Sequence, residues 1–204
     1  MRHNLTIEGY AFRLRPITNA DAGMVVELRS NPELNRYLHA SSNRVEDQLD
    51  WLASYYERAG DYYFVVERRY SGEFEGFVSI YDIDTTSLSG YWGRWVLRQG
   101  SLAAVESVWL IFRVAFELLK LNSVYSRTVV ENEKVVSFHD SYSRGKAERR
   151  LLPQYFELGG RNFDGIEHRV NKTCWVAISP QLENLSKMIA KKIVHAGDGR
   201  IARC

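Results

Sequence analysis

The chain has 204 residues, 45% hydrophobic and 25% charged, and its 27 Lys and Arg against 25 Asp and Glu leave a net charge of +2. That length holds one good core and is tight for two. The near-neutral balance argues against a general nucleic-acid or polyanion binder, and 13% aromatics exclude a disordered chain.

In chain order, residues 11–15 alternate Phe12 and Leu14 with arginines and predict a strand. Thr18, Asn19 and Asp21 supply cap chemistry for a helix carrying Met24, Val25 and Leu28, which Pro32 stops after Asn31. A second helix follows Asn43, with Val45, Leu49, Leu52 and Tyr56 on one face. Residues 62–67 are a nearly unbroken aromatic and β-branched run, which suits a strand buried on both faces. The turn at Ser71, Gly72 and Glu73 folds the next strand, 76–83, back as a hairpin, and a Thr/Ser-rich loop leads to a strand over 90–97.

Leu102, Val105, Trp109, Phe112, Phe116 and Leu119 then recur every three or four residues, an amphipathic helix that opens at Ser101 as N-cap. The same stretch carries Glu106, Arg113, Glu117 and Lys120 and is too polar to span a membrane. A strand over 124–130, a short helix over 132–142, strands near 154–158 and 173–178 and a basic helix over 181–194 follow, with 197–204 expected to be mobile.

This order does not alternate strand and helix regularly, so a doubly wound sheet fits poorly. It predicts an α+β layered fold, with a mixed, mostly antiparallel central sheet flanked by helices and one βαβ crossover through the long helix. One domain is expected over 1–179, with a basic helix and loose tail over 180–204. Cys174 and Cys204 build neither a disulfide framework nor a zinc site, and the opening MRHNLTIEGY has no apolar secretory core, so a cytoplasmic protein without a metal site is expected.

The junction from Trp95 to Ala103 is the most informative stretch. A strand enters a helix through small residues, and the helix start offers unpaired N–H groups and a partial positive charge. Gly100, Ser101 and Ala103 admit a ligand close to the backbone and Arg98 adds a cation, an arrangement that binds a pyrophosphate. The same residues also suit an ordinary capped helix after a turn.

The strand, Arg98-x-x-Ser101-x-Ala103 and the long helix resemble the acetyl-CoA pyrophosphate loop of the GNAT acyltransferase superfamily, Gln/Arg-x-x-Gly-x-Gly/Ala, with Ser101 in place of the first glycine. Phe12-Arg13-Leu14-Arg15-Pro16 is similar to the opening strand of the branch that includes ribosomal-protein and nucleotide-amino-sugar acetyltransferases, such as that of the pseudaminic-acid pathway. Leu28 to Glu33 with Arg36, Tyr37 and Leu38 resembles that branch's first-helix exit, Asp82-Ile83-Asp84 its third-strand end, and Asn132 to His139 its asparagine-containing helix start. The likeness covers residues 11–142, and it breaks where Tyr142-Ser143-Arg144-Gly145 stands in place of the family's Leu-Gly-Phe.

The resemblance implies acetyl-CoA as co-substrate and direct transfer of its acetyl group to the primary amine of a small acceptor, a nucleotide-linked amino sugar being the candidate. A protein N-terminal or side-chain acetyltransferase, and a non-catalytic acyl-CoA-binding module of the same fold, stay open. The donor would rest on the backbone edge of Trp95, Val96 and Leu97 and on Arg98, Gly100, Ser101, Leu102 and Ala103, with Asn132 and Phe138 nearby.

Seven residues beyond Asn132, where the family often has a proton-donating tyrosine, stands His139. A reference pKa of ~6.5 suits protonation of a thiolate of ~8.5; a surface or capping histidine is the alternative. Asp82 and Asp84, on the same face at the strand period, would receive the substrate ammonium, Asp84 as a substrate-binding residue and Asp82 as the preferred acceptor of the amine proton, with Glu106 at the helix start as a further carboxylate. A solvated aspartate pair, or water as acceptor, stays open. Arg29, Asn31, Arg36, Tyr37 and His39 would line the acceptor site, whereas Trp51, Tyr55 and Tyr56 read as core. No nucleic-acid or membrane partner is expected, and a homodimer is left open.

Overall fold

The structure, a computed structural model, describes residues 2–38 and 42–201, with side chains through residue 193. His39 and residues 202–204 of the expected tail lie outside the described residues. Strands β1 (Ile7–Glu8), β2 (Phe12–Pro16), β3 (Tyr62–Arg68), β4 (Phe74–Asp84), β5 (Ser89–Leu97), β6 (Ser123–Val129), β7 (Glu148–Leu158) and β8 (Arg161–Asn171) form one sheet in the order β1-β2-β3-β4-β5-β6-β8-β7. Helices α1 (Ala22–Ser30), α2 (Pro32–Asn35) and α3 (Val45–Tyr56) lie between β2 and β3. Helix α4 (Ala104–Arg113), prolonged by a π turn over Val114–Leu118, links β5 to β6; α5 (Glu133–Ser143) follows β6, and α6 (Lys172–Ile201) follows β8. Among the described residues only β5 and β6 pair in parallel, as the crossover through α4 requires.

The run read as a doubly buried strand is one. In β3, Phe64 and Val66 enter a cluster with Phe12, Ile80, Leu110 and Phe112, and Tyr63 and Val65 enter a second one with Val25, Leu52 and Tyr55. Alternation at period two feeds both layers.

Two element expectations are corrected, and one strand was not expected. Residues 173–178 are helical, not a strand: Trp175, Ile178, Leu182 and Ser186 are buried at helical spacing, with Pro180 accommodated inside α6. The β-branched composition of that stretch masked the period. Strand β8 went unread because it is studded with charge; its buried Glu167 is held by Arg127 at 2.8 Å and Arg150 at 2.9 Å. Helix α4 opens at Ala104, and Ser101, expected as its N-cap, instead accepts the Ala103 N–H at 3.1 Å.

Candidate active site

The pairing of β5 with β6 runs only from Ser89, Gly90 and Tyr91 to Ser123, Val124 and Tyr125. Just beyond, β5 carries one residue more than β4 between the pairs Phe77–Val96 and Ser79–Gly93, and Arg94 takes a left-handed φ of 46° there. A bulge of this kind bends the strand that carries it. The two strands part, and a cleft of about 370 Å³ opens, walled by Trp92 and Trp95 on one side and Ser126 and Thr128 on the other, with Asn132 and His139 at its α5 end. Past Tyr91 and Tyr125 the facing main-chain edges have no strand partner among the described residues.

The turn after β5 is open to solvent. Gly100 has φ +77° with nothing within 4 Å of a Cβ placed there, and Leu102 is 51% exposed. The first turn of α4 has no side-chain cap. Arg98, however, is not an uncommitted cation: its guanidinium turns back to Glu73 at 2.6 Å and Glu75 at 3.0 Å. The Glu75 carboxylate is fully buried and also takes Arg68 at 2.6 Å. Burial pushes its pKa up, but hydrogen bonds from Ser101, Arg68 and Arg98 outweigh this and hold it below the usual carboxylate value.

Three residues beyond Ala103, Glu106 is equally buried. It accepts the N–H groups of Tyr10, Ala11 and Phe12, so it clamps the start of β2 to α4 and faces away from the cleft. Burial keeps its pKa above the ordinary value, and those amides offset this only in part.

His139 lines the cleft at 2% exposure. Its Nδ1 lies 3.2 Å from the Ser126 hydroxyl and 3.0 Å from that of Tyr142, and its ring stacks on His168 at 5.1 Å. Burial, with His168 adding repulsion, pushes its pKa down to about 3. The imidazole is therefore uncharged at neutral pH, and the expected imidazolium proton donor does not fit this surrounding.

Asp82 and Asp84 are both exposed, but the regular alternation from which their shared face was expected is broken there. Asp82 is a bulge residue with φ 50°, which interrupts the alternation. Asp84 accepts the Thr86 N–H at 2.8 Å and the Ser87 hydroxyl at 2.7 Å, closing the hairpin turn, and neither aspartate lines the cleft. Asn31 caps α2 by accepting the Glu33 N–H. Tyr37 does reach the cleft, its hydroxyl donating to the Glu131 carbonyl at 2.9 Å. Phe138 stacks behind Trp95 at 5.3 Å.

Sequence reasoning missed Arg94. It donates twice to Asp61, at 2.7 and 3.0 Å, and lies 4.5 Å from the Tyr81 ring centre. With Arg29 it also lines a second cleft of about 430 Å³ between α1 and α3, where Gln48, Trp51, Arg58 and Tyr63 complete the wall. Trp51 is thus a cleft residue as well as a core neighbour, while Tyr55 is core, as read. Only a bulge in β5 brings Arg94 there, and no local pattern announces it.

No curated protein matches the chain at a significant level. Among solved structures, apo FdhC, a nucleotide-linked sugar GNAT, is similar at 26% identity over 88% of this chain and 97% of that one, with a TM-score of 0.73. A GCN5-related N-acetyltransferase from Brucella melitensis superposes with a TM-score of 0.77 at 18% identity, covering 91% of this chain and 86% of its own. A variant of spermidine N-acetyltransferase SpeG from Vibrio cholerae does so with 0.70, also at 18%, over 81% and 96%; these last two likenesses speak for the fold alone. The acetyltransferase (GNAT) domain model matches residues 12–141, which include the parted strands, the open turn and all of α4. With that match, and the sheet described above, the chain belongs to the GNAT acetyltransferase family.

Proposed function

We propose that the protein is an acetyl-CoA-dependent N-acetyltransferase that transfers directly to the primary amine of a small acceptor, a nucleotide-linked amino sugar. The observation that carries this reading is the parting of β5 from β6 beside an exposed turn and a helix start without a side-chain cap. Family membership supports the donor, and the nucleotide-linked sugar GNAT among the similar structures supports the acceptor class.

The unpaired edge of Trp95, Val96 and Leu97 would hold the pantetheine amides by main-chain hydrogen bonds, and the 98–103 turn would hold the pyrophosphate at its N–H groups. Acetyl-CoA supplies an activated thioester. A β5 N–H aimed at the developing oxyanion contributes ~3 kcal/mol. His139 enters as a neutral wall that fixes Ser126 and Tyr142. With Asp82 and Asp84 away from the cleft, the proton leaving the amine and the one reaching the thiolate pass through water.

Acetyl-CoA at millimolar concentration is expected to raise the melting temperature by mass action. Mass spectrometry of candidate amines incubated with it is expected to find one acetyl group added to an amino-sugar nucleotide. No thermal shift, or no acetylated amine from the panel, would count against the enzyme.

A further inference from the structure

We propose that the cleft between α1 and α3 is an anion subsite that takes the phosphate or diphosphate of the acceptor; this deepens the acetyltransferase reading and rests on it. At about 430 Å³ it falls in the range of small-molecule sites. Arg29 of α1, Arg58 beyond α3 and Arg94 of β5 all line it. Two carboxylates are at hand. Asp61 is taken up by Arg94 in a two-pronged pair, and Asp47 is exposed on the wall. Asp47 is thus the one carboxylate among the lining residues, beside three arginines.

Two further details point to an incoming anion. Arg58 forms no ion pair among the described residues, and its guanidinium lies 5.3 Å from the Trp51 ring centre. A guanidinium stacked on an indole keeps its edge donors available for a bidentate partner. The Nε2 of Gln48 is buried without a hydrogen-bond partner among the described residues, and Gln48 lines the same cleft. A buried donor left unmade is costly; an anionic oxygen entering the cleft satisfies it.

The Trp51 ring is already stacked on Tyr55, parallel to within 1° at 5.7 Å, and takes both Arg58 and Arg94. It backs the cations rather than offering a face to a base, so the cleft selects by charge. Arg29 and Arg94 line the donor cleft too. An acceptor anchored here by its anion extends past Arg94 toward the parted strands. A polyamine would meet like charge.

The test uses the full chain with desulfo-CoA at saturation, so the donor turn is filled first. Inorganic pyrophosphate and uridine diphosphate are then titrated by calorimetry at low and high salt. Both are expected to bind, more weakly at high salt, and spermidine is not. R58Q should raise both Kd values by about tenfold, equivalent to about 1.4 kcal/mol, without changing that of desulfo-CoA. Q48L, which removes the orphaned donor but no charge, should raise them about threefold. If neither probe binds beside desulfo-CoA, or if R58Q and Q48L leave both Kd values unchanged, the anion subsite is overturned and the acetyltransferase reading stands. If desulfo-CoA itself fails to bind, both fall.

Discussion

Glu75 and Glu106 flank the same strand-to-helix turn, and both are fully withdrawn from water, yet they are held in opposite ways. Glu75 is surrounded by guanidiniums and stays readily ionised; Glu106 is hydrogen-bonded by backbone amides, with only the charge of Arg69 added, and burial lifts its pKa. Formal positive charge repays the desolvation of a carboxylate, and three peptide dipoles do so incompletely. One residue therefore fixes the turn electrostatically, and the other fastens the first long strand to α4 by hydrogen bonds.

Breaking the amide clamp should have the largest effect. E106A leaves two buried N–H groups and one half-buried one unpaired, and by the usual penalty for orphaned donors it should cost about 3–5 kcal/mol in denaturant unfolding. A loss under 1 kcal/mol would mean that water reaches Tyr10 to Phe12. In the wild-type chain a Cβ at Gly9 would meet the Glu106 carboxylate at 2.0 Å, so a side chain at that position would disturb the same clamp.

Acid titration sharpens the contrast at an intermediate scale. Glu75 has a folded pKa below 4.5, so its stabilisation is present above that value and is lost as pH falls through the folded pKa. E75Q should cost about 2 kcal/mol at pH 7, discounted because Arg68 and Arg98 are each 36% exposed. It should also remove part of the acid loss below pH 4.5. Glu106 runs the other way. Its folded pKa is raised, so the cost of its buried charge is present above that pKa and is relieved on acidification. Identical acid limbs in wild type and E75Q would refute the assignment. Both share the His139 background, a loss of about 1.4 kcal/mol per pH unit from about 6.5 down to about 3, where only the unfolded chain takes the proton.

The smallest effect concerns the exposed neighbour. E73Q releases one side of Arg98. A surface pair of about 0.6 kcal/mol corresponds to acetyl-CoA binding about threefold more tightly, measurable by calorimetry. Weaker binding would mean that Glu73 holds Arg98 in its working position.

The two layers around β3, the hairpin to β4 and the crossover through α4 were legible because hydrophobic period and turn chemistry agree there. Glu167 and His168 hid β8, since a strand whose buried residues include charge matched by distant arginines has no readable alternation. The junction from Trp95 to Ala103 was readable as a chemical motif, but the sequestration of Arg98 was not, because Glu73 and Glu75 reach it across the sheet. The Asp82 and Asp84 expectation failed on a rule that holds only for unbroken pleat. His139 lies at the α5 end of the cleft, and its neutrality comes first from its burial and only then from His168, which lies in the strand that went unread; neither is legible in the local sequence.

The extra residue at Arg94 has a consequence for how such a catalyst could arise. One supernumerary amino acid in a central strand turns a seam between neighbours into a doorway, while the sheet keeps its order on either side. A barrier between an inert scaffold and an active one can thus be a single codon, and shortening β5 by that residue would be the most economical way to shut the protein.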